Sequence, residues 1–434
     1  MKKITIIVMS DYKLDPRVYK HAVTAKKNGF DVDVVSFVAS VNHEHVEDVD
    51  GIRVHYYNSD IQKVMDHVKM VLIKYKLYRM VSFLYNLMFY TTDLSSNGHS
   101  SVDLSKQNII DRMFKQKPVK LNNNLSDLKG YLYCYVIMNV YLYFKIRKIK
   151  SDVYLINDLP VLLTGVMLSI GNWRPLIYDS HELWVDSSES ISKIYKQLLS
   201  WHERILIPFA SRVVTVNNHI ADTLVERYGV KRPLVVFNCP MYSKPLDHNV
   251  TFNNKVIYQG RYYITRGLEE TIESARYIDC NLYFRGFDYY NGSYTSTLLA
   301  MITTDNVFFI QPVDMKDLVS SLDGFDVGLV PYKPTLLNHI YASPNKLFEY
   351  MMAGMAVIGS DLPVIREVII SSGCGMVFNP DDPKSIANAI TTIMHDPEKL
   401  ASMKASACNA AKERWNWEIQ SAPLICEYRK LMEI

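Results

Sequence analysis

The stretch that most restricts the fold runs from Ser343 to Gly354 and reads Ser-Pro-Asn-Lys-Leu-Phe-Glu-Tyr-Met-Met-Ala-Gly. It predicts one short helix with Ser343 as the N-cap, Pro344 at the first helical position and Gly354 as a left-handed C-terminal residue. The flanking apolar runs 326–331 and 356–360 are typical of buried parallel strands. A helix that follows a parallel strand directs its N-terminus at the ligand crevice of the sheet. We therefore expect a doubly wound α/β fold with an anion site at this helix.

Two charged residues, Lys346 and Glu349, lie one turn apart on the predicted helix. A cation beside the free helical amides suits a phosphate, and a carboxylate one turn further suits a sugar diol. The alternative is a surface ion pair between the two side chains, worth about 0.2–0.5 kcal/mol. The local sequence alone favours the ion pair, so the choice depends on the rest of the chain.

The alternation of apolar runs with helical patterns divides the 434-residue chain into two α/β regions. The predicted domains are 1–240 and 255–415, joined by a linker rich in Pro, Asn, Asp and Ser. A final helix over 416–434 is expected to pack back on the first domain. Residues 60–150 interrupt the first domain as a helical insert. We expect two lobes with the chemistry in the cleft between them.

Composition restricts the partners and the compartment. The chain is 48% hydrophobic and 21% charged, which is typical of a globular protein, and its net charge of +3 is too small to indicate nucleic-acid binding. The six cysteines include no Cys-x-x-Cys pair, which favours a reducing cytoplasm over a disulfide framework or a zinc site. No Gly-x-Gly-x-x-Gly follows the first strand, which argues against a dinucleotide cofactor.

The insert carries the features of a membrane surface. Residues 61–90 combine lysines and an arginine with Met, Leu, Tyr and Phe, the pattern of a basic amphipathic helix. Residues 91–127 are polar and predict a loop, and residues 131–150 predict a second aromatic helix with a basic end. The alternative is ordinary domain helices with solvated lysines. No stretch has the roughly 18 uninterrupted apolar residues of a spanning helix.

Polar residues stand where the strands of the first lobe are predicted to end. Asp179-Ser-His181-Glu182 follows an apolar run, at the position where open parallel sheets bind ligands. Arg17, at the start of the first helix, either enters this crevice or is solvated. His181 has an ordinary pKa near 6.5 and could donate to a sugar oxygen; alternatively, it is a structural histidine paired with Asp179.

These motifs, in this order, resemble glycosyltransferase family 4 with the GT-B fold. The residues that carry the resemblance are Asp15-Pro-Arg17, Asp179-x-His181-Glu182, Gly260-Arg261, Arg266-Gly267, Ser343 to Gly354 and Trp415-x-Trp417. The resemblance covers nearly the whole chain except 60–150. It implies two Rossmann-like doubly wound parallel-sheet domains facing a central cleft, and retaining transfer of a sugar from a nucleotide-diphosphate donor. It implies no metal and no cofactor beyond the nucleotide sugar as co-substrate.

The resemblance also assigns roles to residues. Arg261 and Arg266, the latter standing where the family commonly has lysine, are expected to neutralise the departing diphosphate. Glu349 corresponds to the glutamate that binds the ribose hydroxyls. The predicted nucleotide-binding residues are Arg261, Arg266, Ser343, Asn345, Lys346 and Glu349. The predicted catalytic residues are His181, Glu182, Arg261 and Arg266.

One position departs from the family pattern. The family has a glutamate eight residues before Glu349, and this chain has Tyr341 there. Contacts to the donor sugar are then expected from backbone amides, Asn338 or His339. In retaining enzymes of this kind the leaving phosphate accepts the proton of the acceptor, so no protein base is named.

The favoured function is a cytoplasmic glycosyltransferase, peripheral to the membrane, that extends a lipid-linked or surface-polysaccharide precursor with a sugar from UDP. One alternative is a nucleotide-sugar epimerase of the same fold. Another is a non-catalytic protein that binds nucleotide sugars or membranes, which the absent glutamate at Tyr341 leaves open.

Overall fold

The computed structural model describes residues 1–39, 41, 43–60, 64, 127–128, 130–187, 191–244 and 252–433. Two sheets organise these residues, and helices cover both faces of each sheet. The predicted fold class is confirmed. The predicted basic helix 61–90 and loop 91–127 lie outside the described residues, apart from positions 64 and 127.

The first sheet has eight strands in the order β3-β4-β2-β1-β5-β6-β7-β8, and all neighbours are parallel except β3 and β4. Its strands are β1 (Lys3–Val8), β2 (Asp31–Val38), β3 (His45–Val49), β4 (Ile52–Asn58), β5 (Val153–Asn157), β6 (Leu176–Ser180), β7 (Arg212–Thr215) and β8 (Leu234–Val235). Its helices are α1 (Pro16–Lys27), α2 (Met138–Ile146), α3 (Leu162–Asn172), α4 (Lys193–Leu206) and α5 (Asn218–Tyr228). A π-helical turn, Leu132–Ile137, leads into α2 within the predicted aromatic helix. The central strands β5 and β6 are buried throughout, as expected of a parallel sheet covered on both faces.

The second sheet has six parallel strands in the order β11-β10-β9-β12-β13-β14. Its strands are β9 (Lys255–Gln259), β10 (Asn281–Arg285), β11 (Val307–Ile310), β12 (Val327–Val330), β13 (Ala356–Ser360) and β14 (Gly375–Phe378). The helices after β9 are α6 (Leu268–Ser274), α7 (Ser293–Ala300), α8 (Leu337–Ile340), α9 (Asn345–Met352), α10 (Pro363–Ser372), α11 (Pro383–Met394), α12 (Pro397–Glu413) and α13 (Trp417–Met432). None of the helices in the described ranges is long and apolar enough to cross a membrane.

The strand order of each sheet reverses once, between β1 and β5 in the first sheet and between β9 and β12 in the second. The loops that leave these strands diverge at the reversal and open a crevice at the carboxyl ends of the strands. The topology therefore locates the candidate site before any side chain is considered.

Helix α9 begins one residue later than the sequence predicts. Pro344 is its N-cap in an extended conformation, and Asn345 is its first residue, so the predictions of Ser343 as N-cap and Pro344 at the first helical position were wrong. Pro344 has ψ 134°, outside the helical region, so the first helical backbone conformation falls on Asn345. The other end matches the sequence: Gly354 has φ 71°, and the amide of Met355 donates to the carbonyl of Tyr350. This pair of features is a Schellman C-cap.

The last helix, α13, packs on α1 of the first sheet although it follows the helices of the second sheet. Trp417 is fully buried among core residues of the first sheet, and its indole N–H donates to the Thr24 hydroxyl at 2.8 Å. The chain therefore passes between the two lobes twice, once after β8 and once before α13.

Candidate functional site

A cleft of about 670 Å³ lies between the carboxyl ends of the two sheets, at the strand reversals. The predicted site residues that line it are His181, Glu182, Arg261, Arg266, Ser343 and Asn345. Lys346 and Glu349 lie behind this surface, one turn into α9. Among the described residues, no three His, Cys, Asp or Glu side chains are grouped so as to hold a metal ion.

Arg17 forms part of the base of the cleft and is only 1% exposed, so the solvated alternative is wrong. Its guanidinium donates two hydrogen bonds to Asp179, at 2.9 and 2.8 Å, and a third to the Val236 carbonyl at 2.7 Å. These bonds tie α1 to β6 and to the segment that leaves the lobe. Removing one partner of a buried ion pair typically destabilises a protein by about 3–5 kcal/mol.

His181 lies between two carboxylates at the floor of the cleft. Its Nε2 is 3.2 Å from Asp179 and its Nδ1 is 3.3 Å from Asp158. Burial alone lowers the pKa of His181, but the two carboxylates outweigh burial and raise that pKa to about 10. At neutral pH the side chain is therefore an imidazolium that is paired with Asp179 and also lines the cleft, whereas its donation to a sugar oxygen stays a prediction.

Asp158 helps to hold His181 in place. Its own backbone has φ 64° and ψ 166°, a conformation that residues other than glycine rarely adopt. Its carboxylate also accepts a hydrogen bond from the His181 backbone amide at 2.9 Å. Sequence reasoning did not single out Asp158. Its position directly after β5, where the strand order reverses, could have identified it as a site residue, because ligands of such sheets bind there.

Glu182 and Asn338 meet across the cleft. The Asn338 amide donates to Glu182 at 3.4 Å, and its oxygen accepts from the Leu183 backbone N–H at 2.9 Å. Desolvation between the lobes and the charge of Asp158 raise the pKa of the Glu182 carboxyl. Asn338 is thus engaged in contacts between the lobes rather than being free for a sugar.

Two arginines from the segment after β9 lie on tyrosine rings in the cleft. The Arg266 guanidinium carbon is 3.9 Å from the ring centre of Tyr332, and that of Arg261 is 5.6 Å from the ring centre of Tyr289. The Nη1 of Arg266 is buried and has no hydrogen-bond partner. A buried guanidinium nitrogen without an acceptor is costly, and an anionic ligand in the cleft would supply one.

The start of α9 presents further unpaired polar groups. The Ser343 hydroxyl is buried without a hydrogen-bond partner, because the residue is not the N-cap. The Asn345 side-chain oxygen accepts from Asn238 at 2.9 Å. Free helical amides and an unpaired hydroxyl at the same point form a site suited to phosphate oxygens.

Lys346 and Glu349 do not form the ion pair that the local sequence favoured. The Lys346 Nζ lies 3.7 Å from the ring centre of Tyr258, and burial and Arg266 lower the pKa of this amine well below its ordinary value. Gly260, with φ 142°, makes room for it, since a Cβ there would lie 2.7 Å from Nζ. Burial raises the pKa of the Glu349 carboxyl, which interacts with Gln259.

Tyr341, which stands in place of a glutamate, lines the cleft and joins the lobes. Its ring stacks on His219 of the first lobe, with centroids 5.0 Å apart and planes at 15°. Its carbonyl accepts from the Asn217 side chain at 2.9 Å. His339, beside it, lines the cleft and shares a 2.7 Å hydrogen bond with Thr335.

Two family models match the chain. One is described as glycosyl transferases group 1 and matches residues 244–410, and the other is glycosyltransferase family 4 and matches residues 119–241. The first match spans the strands of the second sheet, and the other spans strands β5 to β8 of the first sheet.

Curated relatives are distant. A chitobiosyldiphosphodolichol beta-mannosyltransferase of Candida albicans is 22% identical over 305 residues, 62% of this chain and 66% of the relative. TuaH of Bacillus subtilis, named a putative teichuronic acid biosynthesis glycosyltransferase, is 24% identical over 46% of this chain and 53% of its own length. The chain therefore spans slightly under two thirds of the first relative and about half of the second.

Solved structures with the same fold cover the chain from end to end. Sucrose-phosphate synthase from Thermosynechococcus elongatus superposes with a TM-score of 0.69 at 14% identity, over 100% of both chains. HepE of Anabaena, solved with UDP and glucose, gives 0.64 at 14% identity over 99% of this chain and 100% of its own. At these identities the likeness shows the fold.

Proposed function

We propose, on the premise that the chain belongs to glycosyltransferase family 4, that it transfers a sugar from a UDP-sugar to a lipid-linked or cell-surface polysaccharide precursor. The observation that carries this proposal is the set of unpaired polar groups in the cleft. The Arg266 Nη1 and the Ser343 hydroxyl are buried without partners, and both belong to the cleft wall beside the start of α9. A nucleoside diphosphate supplies the anionic oxygens that these groups lack.

Bond cleavage at the donor leaves negative charge on the diphosphate. Arg261, Arg266 and the free amides of α9 are placed to stabilise that charge, a role that is worth about 2.7–4 kcal/mol for each donor that is lost in comparable sites. A protonated Lys346 would add a further cation from behind the cleft. We propose that this charge stabilisation proceeds without a metal ion.

The transfer is proposed to retain the configuration of the donor. The acceptor hydroxyl attacks the anomeric carbon on the face from which the diphosphate leaves, and a phosphate oxygen of the leaving group takes the acceptor proton. His181, whose two ring nitrogens face Asp158 and Asp179, would contribute its positive charge at the floor of the cleft and stay charged through the step. Glu349, one turn into α9, would accept hydrogen bonds from the ribose hydroxyls.

The proposed acceptor rests on the names of relatives. One is a mannosyltransferase acting on a dolichol-linked chitobiose, and another is named for teichuronic acid synthesis. With such an acceptor, we propose that the enzyme works at the cytoplasmic face of a membrane. The first relative is named for a beta linkage, whereas retention with an alpha-linked donor gives an alpha product. The anomeric configuration of the product therefore tests whether transfer retains the donor configuration.

A panel of nucleotide sugars tests the proposal. The purified protein is incubated with each donor and a membrane extract, and nucleotide release and product configuration are measured. We expect release with one donor, an alpha product from an alpha-linked donor, and a loss of about 10²–10³ in rate for Arg266→Ala. Arg276→Ala, an exposed arginine bonded to Thr303, is the matched control and should leave the rate unchanged.

Two results would contradict the proposal. Absence of both nucleotide binding and nucleotide release with every donor would remove the transferase function. Conversion of the donor without any acceptor would instead identify an epimerase.

A further inference from the structure

Helix α4 of the first lobe has an apolar face on each side. Its inner side packs Leu199 and Leu206 into the core of the lobe. Its outer side exposes 38% of Ile194, 61% of Trp201 and 43% of Ile205. The spacings of seven and four residues place these three side chains on one stripe, about 16 Å long. A soluble helix would carry polar residues on that stripe.

The charges on α4 are of one sign on its exposed surface. Lys193, Lys196 and Arg204 are at least partly exposed, and the single acidic residue, Glu203, is buried, where it accepts hydrogen bonds from two tyrosines. Among the described residues, the ion pairs near α4 join Arg227 with Asp186 and Arg232 with Asp222, and none involves Lys193 or Arg204. Lys193 and Arg204 lie about a quarter turn from the stripe, whereas Lys196 lies on the opposite side of the helix. An apolar stripe with cations at its edge complements an anionic bilayer surface.

Helix α4 also lies next to the cleft. The short helical turn Trp184–Asp186 packs against α4, and Trp184 and Ser187 line the cleft. Helix α4 begins at Lys193, six residues after Ser187. A surface held against α4 would therefore lie beside the first-lobe wall of the cleft.

We propose that the outer face of α4 docks the protein on an anionic lipid bilayer, with Trp201 and Ile205 in the interface and Lys193 and Arg204 at the headgroups. The docking explains how a lipid-linked acceptor would reach the cleft, and in that respect it rests on the proposed function. The binding surface itself is argued from α4 alone. It is distinct from the basic insert 61–90, whose membrane role stays a prediction.

Vesicle sedimentation of the full-length protein tests the docking without catalysis. Vesicles of pure phosphatidylcholine are compared with vesicles of phosphatidylcholine and phosphatidylglycerol. We expect at least tenfold stronger partitioning onto the anionic vesicles, and at least a tenfold loss for Trp201→Glu and for Lys193→Glu combined with Arg204→Glu. Ile370→Glu, at a position 53% exposed on α10 of the other lobe, is the matched control and should change partitioning less than twofold.

Binding of UDP is measured for every variant and should stay unchanged, which shows that the variants are folded. If the unaltered protein does not bind UDP, the proposed function is wrong, but the docking of α4 on anionic vesicles can still be confirmed. Equal partitioning onto both vesicle types, or no effect of Trp201→Glu, would overturn the docking surface. A dimer that Trp201→Glu converts to a monomer, with unchanged vesicle binding, would assign the face to a second copy of the chain instead.

Discussion

At the scale of single residues, the charge of His181 depends on its two carboxylate neighbours. The folded state raises the pKa of His181 to about 10, above the ordinary 6.5. Stabilisation by its protonation is therefore complete below about pH 6.5 and is lost as the pH rises through 10. Any contribution of the imidazolium to the transfer rate should likewise be lost as the pH rises through about 10.

Replacing one carboxylate should move this limit. Asp158→Asn keeps the shape of the side chain and removes its charge. We expect the alkaline fall in transfer rate to move from near pH 10 toward neutral pH, as measured in a pH–rate profile. Asp222→Asn, which alters an exposed ion pair with Arg232, should leave the profile unchanged. Coincident profiles for Asp158→Asn and the unaltered enzyme would show that the charge of His181 does not matter.

A second residue-scale prediction concerns Lys346. Burial and the nearby Arg266 hold the pKa of its amine well below the ordinary value, with Glu349 opposing them. A bound diphosphate should raise that pKa, so UDP binding should take up a proton and weaken as the pH rises. Calorimetry in two buffers of different ionisation enthalpy measures the uptake.

Lys346→Met should abolish the proton uptake and weaken UDP binding. The same apparent enthalpy in both buffers for the unaltered protein would exclude the coupling. Lys384→Met, on α11 of the same lobe, is a control that should preserve the uptake, because its amine lies over Tyr277, away from the cleft.

At the scale of elements, the corrected start of α9 changes what Ser343 is expected to do. An N-cap serine would stabilise the helix, and its replacement by alanine would cost about 1 kcal/mol. Here the hydroxyl makes no hydrogen bond, so Ser343→Ala should leave the free energy of unfolding nearly unchanged. The same variant should weaken UDP binding severalfold, since a phosphate would lose a donor.

Chemical denaturation and UDP titration of the same preparation separate these effects. Gly354→Ala provides the contrast: its left-handed φ of 71° should make this change destabilising by about 1 kcal/mol with little direct effect on UDP. A strongly destabilised Ser343→Ala variant would show that the hydroxyl caps the helix after all.

The elements that could be predicted from sequence are those that local patterns determine. The buried strands on both sides of α9 follow from apolar runs, and Gly354 follows from the need for a positive φ. The first residue of α9 could not be placed, since the competition between Ser343 and Pro344 for the N-cap depends on packing. The roles of Asp158 and Tyr341 depend on partners far away in sequence, His181 and His219, which no local pattern reveals.

At the scale of the whole molecule, Trp417 connects the last helix to the first lobe. It is fully buried, and its indole N–H bonds to Thr24 of α1. Trp417→Ala should lower the free energy of unfolding by about 3–5 kcal/mol, measured by denaturant titration. Trp173→Ala, at a position 91% exposed, should change it by less than about 0.5 kcal/mol. Equal effects of the two changes would mean that α13 contributes little to the first lobe.

The second passage of the chain between the lobes has a consequence for covalent connectivity. Trp417 and Tyr428 lie in the core formed by β1, β2 and α1, so the first 244 residues lack part of their own hydrophobic core. A chain divided between residues 244 and 252 would yield a first fragment with an open apolar face and a second fragment that carries the missing helix. Co-expressed, the two fragments should associate into one particle, and the first fragment alone should aggregate.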